Sequence, residues 1–123
     1  KNHVYGLFAI KKHGFKEVWA VESEIDALYL WSMGIPAIAF GGASINEVQK
    51  KIILNTGIES LIIATDNDVV GHRFANVLKN EFGGIFNCSR ISFPEGVKDV
   101  NEMTPEQLKQ AIKTSENFIK FYV

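Results

Sequence analysis

Short apolar runs alternate with helix-forming segments along this chain, and that alternation limits the possible folds more than any other feature. Residues 18–21 and 61–64 are continuous apolar runs with the length of buried strands. Strands are predicted at residues 17–22, 36–40, 60–65 and 85–92, and helices at about 4–12, 24–33, 44–57, 70–82 and 105–113. Strands that alternate with helices form βαβ units. The pattern therefore predicts an α/β domain whose mostly parallel sheet is flanked by helices.

Two of the predicted helices begin with a capping-box pattern. Ser44 is followed three residues later by Glu47, and Thr104 is followed three residues later by Gln107. Pro105 adds the proline that is common at the first helical position. These patterns predict helices that begin directly after Ser44 and Thr104.

The composition is that of a globular protein with a buried core. The 123 residues are 46% hydrophobic and 22% charged, which excludes a disordered chain and fits a single domain. No apolar run approaches the ~18 residues that cross a bilayer. The absence of a signal sequence predicts a cytoplasmic protein with no membrane partner. Because the chain begins at Lys1 rather than Met, we expect a processed chain or a fragment of a longer protein.

Net charge and cysteine content narrow the chemistry further. The formal net charge is −1, whereas dedicated nucleic-acid binders are usually basic. A polyanion would therefore have to be held by a metal ion and by local lysines. Cys88 is the single cysteine, which excludes an internal disulfide and a cysteine-based metal site.

Acidic residues follow two of the predicted strands. Glu22 ends the first strand and Asp26 lies one helical turn further on, while Asp66 and Asp68 follow the third strand. Open α/β sheets bind ligands at the carboxyl ends of their strands, and residues i and i+2 of an extended segment point to the same side. Carboxylate oxygens suit Mg²⁺ or Mn²⁺. The alternatives are a glutamate at the rim of the sheet, a helix cap at Asp26 and an ordinary turn at Asp66 and Asp68.

A third acidic segment lies in the connection after the fourth predicted strand. It contains Lys98, Asp99 and Asn101, and taken alone it has the composition of a charged surface loop. Beside the other acids, Lys98 would offset a phosphate, Asp99 would add a metal ligand and Asn101 would offer a neutral oxygen.

Three other residues are weaker candidates. Gly41 and Gly42 would let a phosphate approach the backbone near a helix start, or they form a plain turn. Arg73 lies one turn into the third long helix, where it would bind phosphate or pair with Asp68. No GxxxxGK[ST] sequence is present, so a P-loop nucleotidase is not supported.

The three acidic segments in this order resemble the motifs of TOPRIM domains. Residues 21–28 are similar to the first motif, in which a Glu closes a strand and an Asp-Ala-Leu helix start follows. Residues 64–71 resemble the Asp-x-Asp motif with its trailing glycine, and residues 98–102 are similar to the Lys-Asp segment of the DnaG-type primase branch, especially phage and plasmid primases and primase-helicases. The resemblance covers about residues 4–103. Two departures are Ser23 in place of the usual glycine and Asn101 in place of a second carboxylate.

The resemblance implies a Rossmann-like fold of about four parallel strands and metal-dependent nucleotidyl or phosphoryl transfer on nucleic acid. It assigns residue roles as follows: general acid/base or metal ligand for Glu22; metal ligands Asp66, Asp68 and Asp99; support from Asp26; phosphate contact through Lys98. The cofactor would be Mg²⁺ or Mn²⁺. The domain would span residues 1–123, with a core at about 15–103 and a helical extension at 104–123.

The leading functional hypothesis is the catalytic domain of a DNA primase, which joins ribonucleotides on a single-stranded DNA template during replication. Template and nucleoside triphosphates would bind through further domains, so these residues alone are not expected to make primers, and a replicative helicase is a candidate partner. Alternatives are a small TOPRIM-type nuclease and a catalytically inactive nucleic-acid-binding module. A receiver-like phospho-acceptor module is disfavoured, because it expects an acid pair after the first strand and Glu22 stands alone there.

Overall fold

A sheet of four parallel strands and one short antiparallel strand lies at the centre of the fold. In this computed structural model, which describes residues 2–113 and 116–117, the strands are β1 (Glu17–Val21), β2 (Ala37–Ala39), β3 (Ser60–Ile63), β4 (Asn87–Arg90) and β5 (Glu116–Asn117). Their order across the sheet is β2-β1-β3-β4-β5. Strands β1 to β4 pair in parallel, and the two-residue β5 runs antiparallel to β4. The predicted α/β class with about four parallel strands is confirmed.

Helices connect the parallel strands as the alternation predicts. They are α1 (Leu7–His13), α2 (Glu24–Ser32), α3 (Glu47–Leu54), α4 (Val69–Phe82) and α5 (Pro105–Lys113), and a short 3₁₀ turn lies at Val100–Glu102. The start of α1 was predicted at residue 4 and is wrong by three residues. Gly6 adopts a φ of 86°, which is not helical, so α1 cannot extend back through it. Tyr5, which precedes Gly6, pairs with Ala39 of β2.

The start of α3 also differs from the capping-box prediction. Asn46, not Ser44, is the N-cap. Its side-chain oxygen accepts a hydrogen bond from the Gln49 N–H at 2.8 Å, and the Gln49 side chain accepts one from the Asn46 N–H at 3.0 Å. The capping box therefore exists two residues later than predicted, because an amide pair serves the same donors as a Ser and Glu pair. The predicted box between Thr104 and Gln107 is confirmed.

The helices cover both faces of the sheet, and the strands bury side chains on both. Val18 and Ala20 of β1 pack on one face with residues of α1, α3 and α4. Trp19 and Val21 pack on the other face with residues of α2 and α5. Because successive strand residues point to opposite faces, a sheet covered on both sides needs continuous apolar runs. This is why the strands were recognisable as unbroken apolar segments.

The strand order places a crevice at the carboxyl ends of β1 and β3. The chain leaves β1 for β2 on one side and then crosses to β3 on the other side of β1. In open α/β sheets such a reversal separates the flanking connections and leaves a ligand-binding crevice. Glu22 follows β1 directly, and Asp66 follows β3 after two residues. The predicted acids therefore lie at the crevice.

The last described segment packs on the same core. Leu108 and Ala111 of α5 are buried beside α2. The extension predicted as helical contains α5 but also the strand β5, so the helical prediction is wrong at residues 116–117. The apolar residues 118–123 lie outside the described residues. No helix in the described part of the chain is long and apolar enough to cross a membrane.

Candidate metal centre

Glu22, directly after β1, contacts the loop after β2 through its backbone and the segment after β3 through its side chain. Its carbonyl accepts hydrogen bonds from the N–H groups of Gly41 at 2.9 Å and Gly42 at 3.1 Å. Its carboxylate oxygen Oε2 accepts a hydrogen bond from the Asp66 N–H at 2.9 Å. The carboxylate of Glu22 therefore links the ends of β1 and β3, and it lines the crevice as predicted.

The same hydrogen bonds change the interpretation of Gly41 and Gly42. Both glycines lie in the loop that follows β2, and both N–H groups already donate to the Glu22 carbonyl. An N–H group that is engaged in the fold is not free to cradle a phosphate. The structure therefore does not support the predicted phosphate contact through these groups and gives the loop the role of supporting Glu22.

Three carboxylates converge at the crevice. Asp26, Asp66 and Asp99 each offer a carboxylate oxygen, and these oxygens all lie within 4.8 Å of one another. We call this group the acid triad. Asp26 is 5% exposed, and the Oδ1 atoms of Asp66 and Asp99 are buried without a hydrogen-bond partner among the described residues. Buried polar atoms are normally satisfied, so these orphaned oxygens indicate a site that a cation would complete.

Two members of the acid triad have raised pKa values. Burial raises the pKa of Asp66 to about 7, with further contributions from the negative charges of Glu22, Asp26, Asp99 and Asp68. Burial also raises the pKa of Asp26 to about 6, together with the charge of Asp99 and despite hydrogen bonds from Ser23 and from the backbone of Asn101. Converging carboxylates favour either protons or a cation.

Asp26 combines the two roles that the sequence left open. It lies in the first turn of α2, where its N–H donates to the N-cap Ser23 Oγ at 3.2 Å. Its carboxylate meanwhile belongs to the triad. Ser23, which departs from the family's glycine, thus has a local structural reason, because serine is a preferred N-cap.

Asp68 lies outside the triad although it is only two residues from Asp66. It is the N-cap of α4, and its Oδ1 accepts a hydrogen bond from the Gly71 N–H at 2.7 Å. Its Oδ2 lies 3.9 Å from Nζ of Lys98, whose side chain is largely exposed. Metal ligation by Asp68 and phosphate contact by Lys98 both stay predictions. Either role would require the side chain to leave this ion pair.

The loop that carries Asp99 is attached to the Asp-x-Asp segment by Asn67. The Asn67 N–H donates to the Lys98 carbonyl at 2.6 Å, and its side-chain amide donates to the Val97 carbonyl at 3.1 Å. Sequence reasoning missed this residue, although an amide between two aspartates was a visible signal. The predicted side-chain role of Asn101 stays a prediction, because its side chain is exposed and the contact that the structure shows comes from its backbone.

Arg90, at the end of β4, is the other residue that sequence reasoning missed. It is 8% exposed, and burial lowers the pKa of its guanidinium, opposed by the charges of Glu22, Asp66 and Asp68. Arg73, a weaker candidate for phosphate binding or for pairing with Asp68, is exposed and forms no salt bridge within the described part of the chain. The predicted pairing of Arg73 with Asp68 is therefore wrong, since Lys98 holds that position.

An open cleft leads to the acids. It is lined by Glu22, Ser23, Glu24, Ile25, Gly41, Gly42 and Asp66 and has a volume of about 510 Å³. This volume lies within the range of small-molecule sites, roughly 300–1,000 Å³. A group of the size of a nucleotide can therefore reach Glu22 and Asp66.

Solved structures of primases share this fold. The zinc-binding and RNA polymerase domains of the Aquifex aeolicus primase superimpose with a TM-score of 0.74 at 21% identity, over 98% of this chain and 31% of that chain. A DNA primase domain from Pseudomonas aeruginosa gives 0.78 at 20% identity, over 98% and 40%. The primase fragment of the bacteriophage T7 primase-helicase gives 0.70 at 20% identity, over 91% and 49%.

The chain thus spans less than half the length of each of these structures, and at such identities the likeness concerns the fold. No curated protein matches the chain in sequence. A family model described as Toprim-like matches residues 19–104, the segment that contains Glu22 and all three members of the acid triad. Fold, motif order and family model agree, and the chain belongs to the Toprim-like family.

Proposed function

We propose that this domain carries the metal-dependent catalytic site of a DNA primase. The observation that carries the proposal is the acid triad, in which two buried carboxylate oxygens lack a partner among the described residues at the crevice of a Toprim-like sheet. A buried group of negative charges is costly unless a cation completes it. Such a cost is retained where the site has a function.

The residues present fit a hard divalent cation. Every ligand atom that the triad offers is a carboxylate oxygen, not a sulfur or imidazole nitrogen. Mg²⁺ prefers oxygen ligands and is commonly held by one or two carboxylates with water. We propose Asp66 and Asp99 as ligands together with Asp26, and Glu22 and Asp68 as the further predicted ligands. When bound, Mg²⁺ would supply positive charge that stabilises the charge developing on transferring phosphoryl oxygens.

Glu22 is the proposed general base. The Asp66 N–H donates to Glu22 Oε2 at 2.9 Å, which fixes the orientation of the side chain. The other carboxylate oxygen is then available to take the proton from an attacking hydroxyl in the cleft. We propose that Lys98, which is exposed beside Asp68, turns from that carboxylate to contact a phosphate.

Fold likeness to primase structures supports the primase assignment over the other reactions that this metal site could serve. Template-directed joining of ribonucleotides needs a surface for single-stranded DNA and for triphosphates. This chain has a net charge of −1 and covers less than half of each of the three primase structures described above, so we propose that further domains provide that surface. One similar structure is part of a primase-helicase, and a replicative helicase is the corresponding proposed partner.

The test uses the natural protein that contains this chain. Supplied with a single-stranded DNA oligonucleotide, labelled nucleoside triphosphates and Mg²⁺, it is expected to make short labelled RNA. Asp66→Asn is expected to abolish synthesis, whereas Glu59→Gln, an exposed acid before β3 at the opposite end of the sheet, is expected to leave it unchanged.

Other outcomes identify the competing functions. Cleavage of nucleic acid without triphosphates would indicate a nuclease, and metal binding with neither reaction would indicate an inactive binding module. Mn²⁺ titration of this chain followed by NMR tests the metal site separately. Amide signals of residues 66–71 are expected to broaden, and unaffected signals there would contradict the metal site itself.

A further inference from the structure

A buried arginine lies directly behind the Asp-x-Asp segment. One guanidinium nitrogen of Arg90 donates to the Thr65 carbonyl at 2.7 Å and contacts Thr65 Oγ1 at 2.8 Å. The other nitrogen lies 3.3 Å from the Asp66 carbonyl and 3.3 Å from Nδ1 of His72. Because a guanidinium only donates hydrogen bonds, His72 Nδ1 is the acceptor. The Arg90 side chain also lies over the Phe93 ring, 5.6 Å from its centroid.

Hydrogen bonds continue from Arg90 to the second aspartate. The Thr65 hydroxyl, fully buried, donates to the Gly71 carbonyl at 2.7 Å. The Gly71 N–H in turn donates to Asp68 Oδ1 at 2.7 Å. One buried side chain is therefore linked to the backbone of Asp66 and, through Thr65 and Gly71, to the carboxylate of Asp68.

The charge of Arg90 is not explained by an ion pair. Within the described residues it forms no salt bridge, and all its hydrogen-bond partners are neutral groups. Burying a cation this way is costly. The negative charges of Glu22, Asp66 and Asp68 offset part of that cost, but they would suit a lysine equally well. Only a planar fork with donors on two nitrogens can hold two successive carbonyls at once, so the geometry accounts for an arginine in particular.

We propose that Arg90 is a positioning residue that fixes Asp66 and Asp68 in the geometry that binds the divalent cation. This inference rests on the proposed metal site and adds a residue that contacts neither substrate nor metal. Charge and positioning predict opposite effects. A nearby positive charge by itself weakens cation binding, so its removal would strengthen binding. Loss of positioning weakens binding, and outer residues of this kind typically change metal affinity 10–100-fold.

The experiment is a Mn²⁺ titration of this chain and its variants, followed by NMR line broadening of the amides of residues 66–71. Arg90→Met, which removes charge and fork, and Arg90→Lys, which keeps the charge but not the fork, are both expected to bind Mn²⁺ at least about tenfold more weakly. Lys51→Gln, which removes an exposed positive charge at the end of α3, is the matched control and is expected to bind like the parent chain.

Three results separate the possibilities. Tighter binding by Arg90→Met with unchanged binding by Arg90→Lys would show a charge effect and overturn the proposal. Unchanged affinity in both folded variants would show a purely structural arginine and also overturn it. If the parent chain itself shows no Mn²⁺ broadening, the proposed metal site fails rather than the role of Arg90.

A second pair of variants keeps the test decisive if the Arg90 variants do not fold. Thr65→Val removes the hydroxyl that links Arg90 to Gly71, and Thr65→Ser keeps it. Thr65→Val is expected to weaken Mn²⁺ binding severalfold, with Thr65→Ser near the parent value. Equal affinities of these two variants would contradict the proposed link to Asp68.

Discussion

The negative charges of the acid triad and of Asp68 are compensated in different ways. The triad buries its carboxylates, and two of its oxygens have no partner among the described residues. Asp68 instead has a helix N-terminus at one oxygen and a lysine 3.9 Å from the other, in a half-exposed position. Asp68 therefore stabilises the fold without an ion, whereas the triad needs protons or a cation. Two aspartates separated by one residue thus have different energetic roles.

The largest expected effect comes from Gly71→Ala, which damages both regions together. A Cβ at this position would lie 1.9 Å from the Asp66 carbonyl oxygen, and Gly71 also donates the hydrogen bond that Asp68 accepts. We expect the free energy of unfolding to fall by about 3 kcal/mol, the upper end of the usual overpacking range. Chemical denaturation measures it. Gly84→Ala, where an added Cβ meets nothing within 4 Å, is the matched control. A loss below ~1 kcal/mol for Gly71→Ala would show that the backbone can yield.

Asp66→Asn tests whether the triad trades stability for binding. Removing one charge from a group of like charges should raise the free energy of unfolding of the metal-free chain at pH 8 by about 1 kcal/mol, a common gain when a functional constraint is relaxed. Mn²⁺ binding should weaken more than tenfold. Denaturation and Mn²⁺ titration of the same sample measure both. Lower metal-free stability in Asp66→Asn would mean that the triad carboxylate is satisfied without an ion.

The pH dependence of stability distinguishes the two regions next. The folded pKa of Asp66 is raised to about 7 and that of Asp26 to about 6, from the ordinary carboxyl value of 3.8 for each. The folded state therefore holds more protons than the unfolded state in this window. The resulting stabilisation is complete below the unfolded pKa and is lost as pH rises through about 6 and 7.

We therefore expect the metal-free chain to be less stable at pH 8 than at pH 5.5. The stabilisation by Mn²⁺ should be larger at pH 8, because the ion competes with protons for the same oxygens. Denaturation at both pH values, with and without Mn²⁺, measures this, and Asp66→Asn should show a flatter metal-free profile. Metal-free stability that rises from pH 5.5 to pH 8 would contradict the raised pKa values.

Asp68→Ala should have the opposite sign to Asp66→Asn. It removes the N-cap of α4, and loss of such a cap costs about 1 kcal/mol. Asp68→Asn, which keeps a capping oxygen, should recover most of that loss. Thermal or chemical denaturation of the metal-free variants measures the difference. Equal stabilities of the Ala and Asn variants would show that the cap contributes little.

The smallest effect is expected for Lys98→Gln. The ion pair with Asp68 is long and its lysine is exposed, so its loss should change the free energy of unfolding by less than ~0.5 kcal/mol. Primer synthesis by the natural protein should nevertheless fall, because Lys98 is the proposed phosphate contact. Denaturation and the synthesis assay separate the two effects, and unchanged synthesis would remove Lys98 from the proposed site.

The sequence allowed most of the fold to be predicted, and the reason is periodicity. Continuous apolar runs marked strands covered on both faces, and acids directly after them marked the crevice. Glu22 could be placed in this way because its position depends only on where β1 ends. The start of α1 could not, since the left-handed Gly6 depends on the pairing of Tyr5 with Ala39, a contact distant in sequence.

The site was predictable only in part, for a related reason. Spacing in an extended segment suggested that Asp66 and Asp68 reach one ion, which stays a prediction. What the spacing did not indicate is that Asp68 is the N-cap of α4. Asp26 was expected to support the ligands and instead belongs to the triad. Arg90 and Asn67 have partners about 25 to 31 residues away. An amide between two aspartates marked Asn67 as unusual, but the local pattern does not indicate which distant residues either side chain contacts.

By itself the sequence determined the alternation of strands and helices, the family, and the set of acidic segments at the strand ends. These follow from local composition and spacing, because burial on two faces and helix capping leave local patterns. Only the tertiary structure decided which acids share a site, that Gly41 and Gly42 support Glu22, and that a buried arginine lies behind the aspartates. Those properties depend on which chain segments the strand order brings together, and local sequence does not encode that proximity.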